Sequence, residues 1–157
     1  MKNSLLCAWG VVALLCGCAS QRPAAAPPLL GSTSLPGAYY ENARQTVTPF
    51  VLQEVSTDET YGYSPKNPVN VGGVAESGAR NQQRYLNALR GPEGQPVTYT
   101  RRGSCCPFKT PNGFIDNIGM LDAYSVSWAG QDKPVVLYLN FYDEGWLKAP
   151  KGFTLAK

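Results

Sequence analysis

Histidine does not occur anywhere in the 157 residues. Its absence excludes Ser-His-Asp and Cys-His catalysis, histidine-ligated zinc, and the usual general base near neutral pH. Any enzyme built on this chain has to work with carboxylate, lysine, tyrosine or thiolate. Charge is also scarce, at 16% of residues with a formal net charge of +3. Arg101-Arg102 is the one local basic pair, so nucleic acid is not an expected partner. No internal repeat is present. The apolar stretch from Leu5 to Leu15 falls short of the ~20 residues that span a bilayer.

What is there begins at the N-terminus. Lys2 supplies a positive start, and the apolar stretch after it has the length of an export-signal core. It ends in Leu15, Cys16, Gly17 and Cys18, an order similar to the bacterial lipobox. In proteins with that signal the Cys18 thiol receives a diacylglycerol, the preceding peptide is removed, and the new amine is acylated. Three chains on one residue anchor far more firmly than a single myristoyl group. The bland alternative is an ordinary secretory signal with a chance cysteine near its end. Ala19 follows the cysteine, where the inner-membrane retention signal carries Asp. The expected address is therefore the outer membrane, facing the periplasm or the cell surface.

Cleavage after Gly17 leaves 140 residues, enough for one domain. Lys2 leaves with the signal, so 13 basic residues stand beside 11 acidic ones, a formal +2. Residues 19–38 are rich in Pro, Ala, Ser and Gly and cannot bury enough apolar surface to fold. The expected organisation is a signal peptide over 1–17, a lipidated cysteine and flexible tether over 18–38, and a single globular domain over 39–157. An extended tether of that length reaches on the order of 40–60 Å.

Within the domain, residues 46–55 are β-prone, although Pro49 demotes their start to an edge or bulge. Residues 61–73 are turn-rich. The clearest helix covers 79–90, with Tyr85, Leu86 and Leu89 sharing a face with Ala79 and Gln82. Arg80, Arg84 and Asn87 lie opposite, and Gly91-Pro92 supplies a stop. Strands are predicted at 97–101, at 124–128 and at 134–142. In the second, Tyr124, Val126 and Trp128 alternate with Ser125 and Ser127. In the third, Val135, Leu137, Leu139 and Phe141 form one face, and Val136, Tyr138 and Tyr142 the other. The short polar loop 129–133 makes the last two an antiparallel hairpin. The fold class is thus α+β: an antiparallel sheet of three to five strands, one main helix packed on it, and many loops.

Three cysteines survive processing, and lipid consumes Cys18. Cys105 and Cys106 remain, adjacent in a peculiar segment, RGSCCPFKTPNGF over 102–114. Consecutive Cα atoms lie about 3.8 Å apart, below the ~4.4–6.8 Å of ordinary disulfides, so a bond between them is expected to be strained and easier to reduce. One reading makes them a redox pair or a switchable disulfide, with Arg101, Arg102 and Lys109 as candidate contacts for a thiolate or another anion. The other makes the segment a loop pinned by Pro107 and Pro111, its cysteines serving as small apolar groups or a rigid clamp. The C-x-x-C spacing of thiol–disulfide oxidoreductases is missing. Adjacent cysteines without further soft ligands predict no metal site, and nothing predicts a cofactor.

Asp116, Asp122, Asp143 and Glu144 are candidate carboxylates for acid–base work, with solvated turns as the competing reading. The aromatic residues Tyr124, Trp128, Tyr138, Phe141, Tyr142 and Trp146 concentrate near the C-terminus. One face of that hairpin should be core, and the other either a sugar- or peptide-stacking surface or packing under other elements.

From Tyr61 onward the chain resembles a family of small bacterial lipoproteins. The resemblance rests on YGYSPKNPVNVGG, RYLNALRGPEG, RGSCCPFKTPNGFIDNIGMLDAY, KPVVLYLNFYDEG and APKGF. Some members carry the name 2-dehydro-3-deoxyphosphooctonate aldolase. The enzyme so named is a TIM barrel, which needs about 250 residues and eight repeated βα units, and 140 residues without a repeat cannot supply it. The resemblance implies a lipid-anchored envelope protein and no catalytic residues. The expected function is non-catalytic binding or scaffolding of an envelope protein or glycan, with a small thiol-dependent enzyme centred on Cys105 and Cys106 as the competing class.

Overall fold

The computed structural model describes residues 35–73 and 78–156. The expected signal over 1–17, lipidation at Cys18 and the tether up to residue 34 lie outside the described residues. Among the described residues no helix is long and apolar enough to cross a membrane.

The fold is α+β and loop-rich, with two helices, a four-stranded mixed sheet and a separate two-stranded one. Helix α1 covers Gly37–Thr46 and buries Tyr40 and Ala43, so folded structure begins two residues before the expected boundary. Strand β1, Val69–Asn70, follows a long irregular connection. Helix α2 covers Gly78–Ala88. Strands β2 (Leu89–Arg90), β3 (Val97–Lys109), β4 (Ile118–Trp128), β5 (Val135–Asn140) and β6 (Thr154–Leu155) complete the chain. The main sheet runs β1-β5-β4-β3. β3, β4 and β5 are antiparallel neighbours, while β1 joins the edge of β5 in parallel.

Periodicity explains the core. Inward along β4 point Tyr124 and Val126, both buried, with Trp128 beyond them. Leu137 and Leu139 do the same on β5, and Val97 and Tyr99 on β3. Helix α2 lays Tyr85, Leu86 and Leu89, the last just past its end, into this face. Within the last strand the expected faces are seen, with Leu137 and Leu139 in the main core and Tyr138 in a smaller cluster on the other side. The strand ends at Asn140, however, and Phe141 and Tyr142, expected on opposite faces, stack on each other at 4.2 Å.

Four further expectations need correction. The helix ends at Ala88 rather than Arg90, because Leu89 and Arg90 pair with Leu155 and Thr154. Asn87, placed by periodicity on the solvent face, is buried against α1. It donates to the Ala43 and Val47 carbonyls and accepts from the Tyr99 hydroxyl at 2.8 Å. Residues 46–55 form no strand, and touch the C-terminal segment through the Val55–Ala149 bridge and the contacts of Glu54 with Trp146 and Lys148. Lastly, the segment from Arg102 to Lys109 is not a loop: it continues β3.

That continuation shapes the molecule. β5 pairs with β4 only from Asp122 to Val126. Beyond this point residues 105–109 and 118–121 go on as a two-stranded arm, with Cys105 opposite Leu121 and Lys109 opposite Ile118. Two bulges interrupt β3, between Arg101 and Gly103 and between Cys105 and Pro107. Gly103 adopts φ +144 at the first of them, a conformation that side chains resist. Residues 110–117 connect the two strands of the arm and contain a tight turn: Ile118 N–H donates to the Ile115 carbonyl at 2.9 Å, with φ +50 and +56 at Asp116 and Asn117. Positive φ at both central residues is the type I′ geometry that matches strand twist.

Candidate functional site

The peculiar cysteines lie at the root of the arm. Cys105 and Cys106 are joined by a disulfide, their Cα atoms 3.7 Å apart. Cys105 is fully buried with Leu121, Ala123 and Tyr138. Cys106 and Phe108 are half-buried against the same cluster. Cys106 is the extra residue of the second bulge and has φ +58, unusual for a residue with a Cβ. The sulfur pair therefore spans the bulge itself.

The three basic residues do not act together. Arg101 turns to the helix side of the sheet, where it donates to Asp122 at 2.7 Å and to Ser104 at 2.5 Å. Ser104 also donates to Asp122, and Gln82 of α2 donates to its other carboxylate oxygen at 3.0 Å. Tyr124 completes the chain by donating to the Gln82 carbonyl oxygen at 2.9 Å. The Asp122 hydrogen bond raises the Arg101 guanidinium further above its ordinary range. Burial, aided by the Asp122 charge, holds Tyr124 protonated far above the ordinary tyrosine value. Arg102 and Lys109 are exposed.

Asp122 is thus not in a solvated turn. It is buried, and three donors occupy its two oxygens. A carboxylate so engaged is a structural hub joining α2, β3 and β4. Continuing the inward alternation of Trp128, Val126 and Tyr124 back by two residues reaches Asp122, so the periodic pattern held the signal.

Asp143 is a second hub, at the side of the arm. It accepts from Thr110 at 2.5 Å, Asn112 at 2.9 Å and Asn140 at 2.9 Å. Burial pushes its carboxyl up, but the three hydrogen bonds outweigh this and leave it below the usual aspartate value. Glu144 and Asp116 are exposed. Among the described residues, no three His, Cys, Asp or Glu side chains gather to hold a metal ion. A cleft of about 300 Å³ lies beside Tyr40, Arg44 and Tyr99, and another of about 560 Å³ beside Arg90, Glu93 and Thr154. In the second, the Thr154 hydroxyl donates to the Gly91 carbonyl at 2.7 Å.

The end of the arm carries two adjacent exposed apolar residues. Phe114 is 80% exposed and Ile115 75%. Phe114 leans on Tyr142 and Phe141, with ring centroids 5.2 and 6.2 Å away. Phe141 and Tyr142 stack at 4.2 Å, and Phe108 meets Tyr142 edge-on at 5.9 Å. Four aromatic rings thus run from the disulfide to the tip. Gly119 allows this close approach: a Cβ there would come within 2.8 Å of the Phe108 ring.

No protein-family model matches this chain. Neither the curated proteins nor the solved structures contain a match. The functional reading therefore rests on the residues themselves.

Proposed function

We propose that the protein is an exported lipoprotein, lipidated on Cys18 and held at the outer membrane, which binds an envelope partner without catalysis. Contacts with nucleic acid have no place in this reading. The observation that carries the binding role is the exposed Phe114-Ile115 pair at the end of a supported arm. Adjacent large apolar side chains that face water are a recurrent mark of interaction surfaces. Here the Phe141 and Tyr142 rings lie against Phe114 and hold it at the surface. An aliphatic residue beside an aromatic one suits the apolar patch of a protein better than a sugar face. The likeness of the first eighteen residues to a lipobox signal, and of the later segments to small lipoproteins, supports the address.

The competing thiol-enzyme reading draws on one observation, the bonded cysteine pair. Full burial of Cys105 and the engagement of Arg101 by Asp122 weigh against a poised thiolate.

Photo-crosslinking in intact cells from a residue placed at position 115, followed by mass spectrometry, tests the binding role. A discrete protein adduct that disappears with Phe114→Ala is expected. A purely glycan adduct, or one indifferent to Phe114, would overturn the proposal. Intact-mass analysis of the native protein tests the anchor, and an unmodified polypeptide starting beyond Cys18 would remove it.

A further inference from the structure

We infer that the Cys105–Cys106 disulfide is a redox-set lock on the arm, fixing the strand register that presents Phe114 and Ile115. The inference rests on the reading of the tip as the docking end, and extends it to regulation.

The position of the bond carries the argument. Up to the pair Ser104–Asp122, β3 belongs to a sheet in which β4 also has β5 on its other side. From Cys105–Leu121 outward only two strands remain. Two-stranded ribbons are marginal in water without further support. The covalent pair falls on the first step of that ribbon, where Cys105 and Leu121 still pack on Tyr138 of β5, and spans its bulge.

Register is what the bulge controls. One extra residue on β3 places Pro107 opposite Met120 and Phe108 opposite Gly119. Loss of the bulge would shift pairing by one residue, and such a slip sends every following side chain to the opposite face. Phe108 would leave Tyr142, and the ring series beneath Phe114 would break. Cys106 has a left-handed backbone at φ +58, which an L side chain does not favour. While the sulfurs are joined, this conformation is tied to Cys105 within the buried cluster. Once they are parted, relaxation of Cys106 favours loss of the bulge.

The chemistry needs a dithiol reductant. Cys106, half-buried, is more accessible than Cys105. A thiolate of the reductant attacks the Cys106 sulfur, forming a mixed disulfide and expelling the Cys105 thiolate, which takes a proton. The second thiolate of the reductant attacks its own sulfur in the mixed disulfide and releases the Cys106 thiolate, which takes the second proton. The protein pair gains two electrons and two protons, and the dithiol leaves as a disulfide.

The test is hydrogen–deuterium exchange on the full-length protein in detergent, oxidised and then reduced with dithiothreitol. Exchange over residues 105–122 is expected to rise by about tenfold or more, while α2 and β5 stay protected. Reoxidation should restore the slow rates. The Cys105→Ser/Cys106→Ser double variant should match the reduced state without any reductant. Unchanged exchange in the arm after both thiols become titratable would overturn the lock. So would a pair that dithiothreitol cannot open, or loss of protection across the whole domain, which would make the bond a general staple. If instead the exchange contrast holds while crosslinking at position 115 ignores Phe114, the lock stands and the docking reading fails.

Discussion

The hairpin formed by β3 and β4 is held in two different ways along its length. Near Val97, Tyr99, Tyr124 and Val126 it is one layer of a packed core, covered by α2 and bordered by β5. Beyond Asp122 the same two strands lose the backbone pairing with β5, although Cys105 and Leu121 still pack on its Tyr138. There the means of holding become local: a disulfide across a bulge, a row of aromatic rings, and the hydrogen bonds that Asp143 accepts from Thr110 and Asn112. Burial in the first half stabilises the whole domain together. The devices in the second half fix one small arm in one shape, so the two halves should answer differently to mutation, acid and reductant.

The largest difference is expected from Leu139→Ala. Leu139 is fully buried in the main core, and truncating such a residue costs about 2–5 kcal/mol of global stability. Urea unfolding followed by far-UV circular dichroism should show a clear fall in midpoint. An equally large global loss from a substitution at the tip of the arm would erase the distinction between the halves.

Asp122 stands on the boundary, and its removal should be felt on both sides. In Asp122→Ala, Gln82 and Ser104 lose an acceptor and Arg101 loses its counter-charge. Hydrogen bonds to a charged group carry about 1.5–3 kcal/mol, and the partial exposure of Arg101 limits the penalty on its side. A loss of about 2 kcal/mol in urea unfolding, with faster exchange in both α2 and the arm, is the expected outcome. Protection lost in only one of them would show that Asp122 does not couple the two.

Acid should separate the halves by a smaller amount. The folded-state carboxyl of Asp143 lies below its ordinary value of 3.8, so the ionised form is favoured by folding. Its contribution is complete above that ordinary value and is lost as pH falls through the lower folded one. Arm protection should therefore weaken under acid at lower pH than an unperturbed aspartate would titrate. Asp143→Asn should remove that step while leaving the acid response of α2 as it was. A step at the same pH in the variant would assign it to another group.

Much of the supported half could be read from the chain, because alternation along strands and the 3.6-residue period along α2 are direct records of burial. Tyr124, Val126, Leu137 and Leu139 declare themselves in this way. The arm was harder to read. Gly103, the adjacent cysteines and Pro107 look like loop composition, and two bulges break the alternation that would mark a strand. The local clues are two turn signals in the 110–117 connection, Pro111-Asn112-Gly113 and Asp116-Asn117. Asn87 went astray for a different reason. Period places it opposite the core, but α1 arrives from distant sequence and covers that face, supplying the Ala43 and Val47 carbonyls it needs. The parallel addition of β1 depends in the same way on a partner 70 residues away.

The smallest effect on stability should come from the residues that matter most to the proposed function. Phe114 and Ile115 stay mostly in water in the folded protein, so little apolar burial is lost when they are changed. Ile115→Asn should shift unfolding by no more than about 0.5 kcal/mol. Phe114→Ala removes ring contacts to Phe141 and Tyr142 and should cost slightly more, about 0.5–1 kcal/mol. Phe114→Ala should abolish the crosslink from position 115, and Ile115→Asn the equivalent crosslink from a probe at position 116, despite this near-neutral stability. Trp146 provides the control: it is also exposed, at 69%, but its indole N–H is tied to Glu54, and Trp146→Ala should leave the tip crosslink intact. Loss of that crosslink in the Trp146 variant would move the docking surface off the arm, and the contrast between a core built for stability and an arm built for contact would no longer hold.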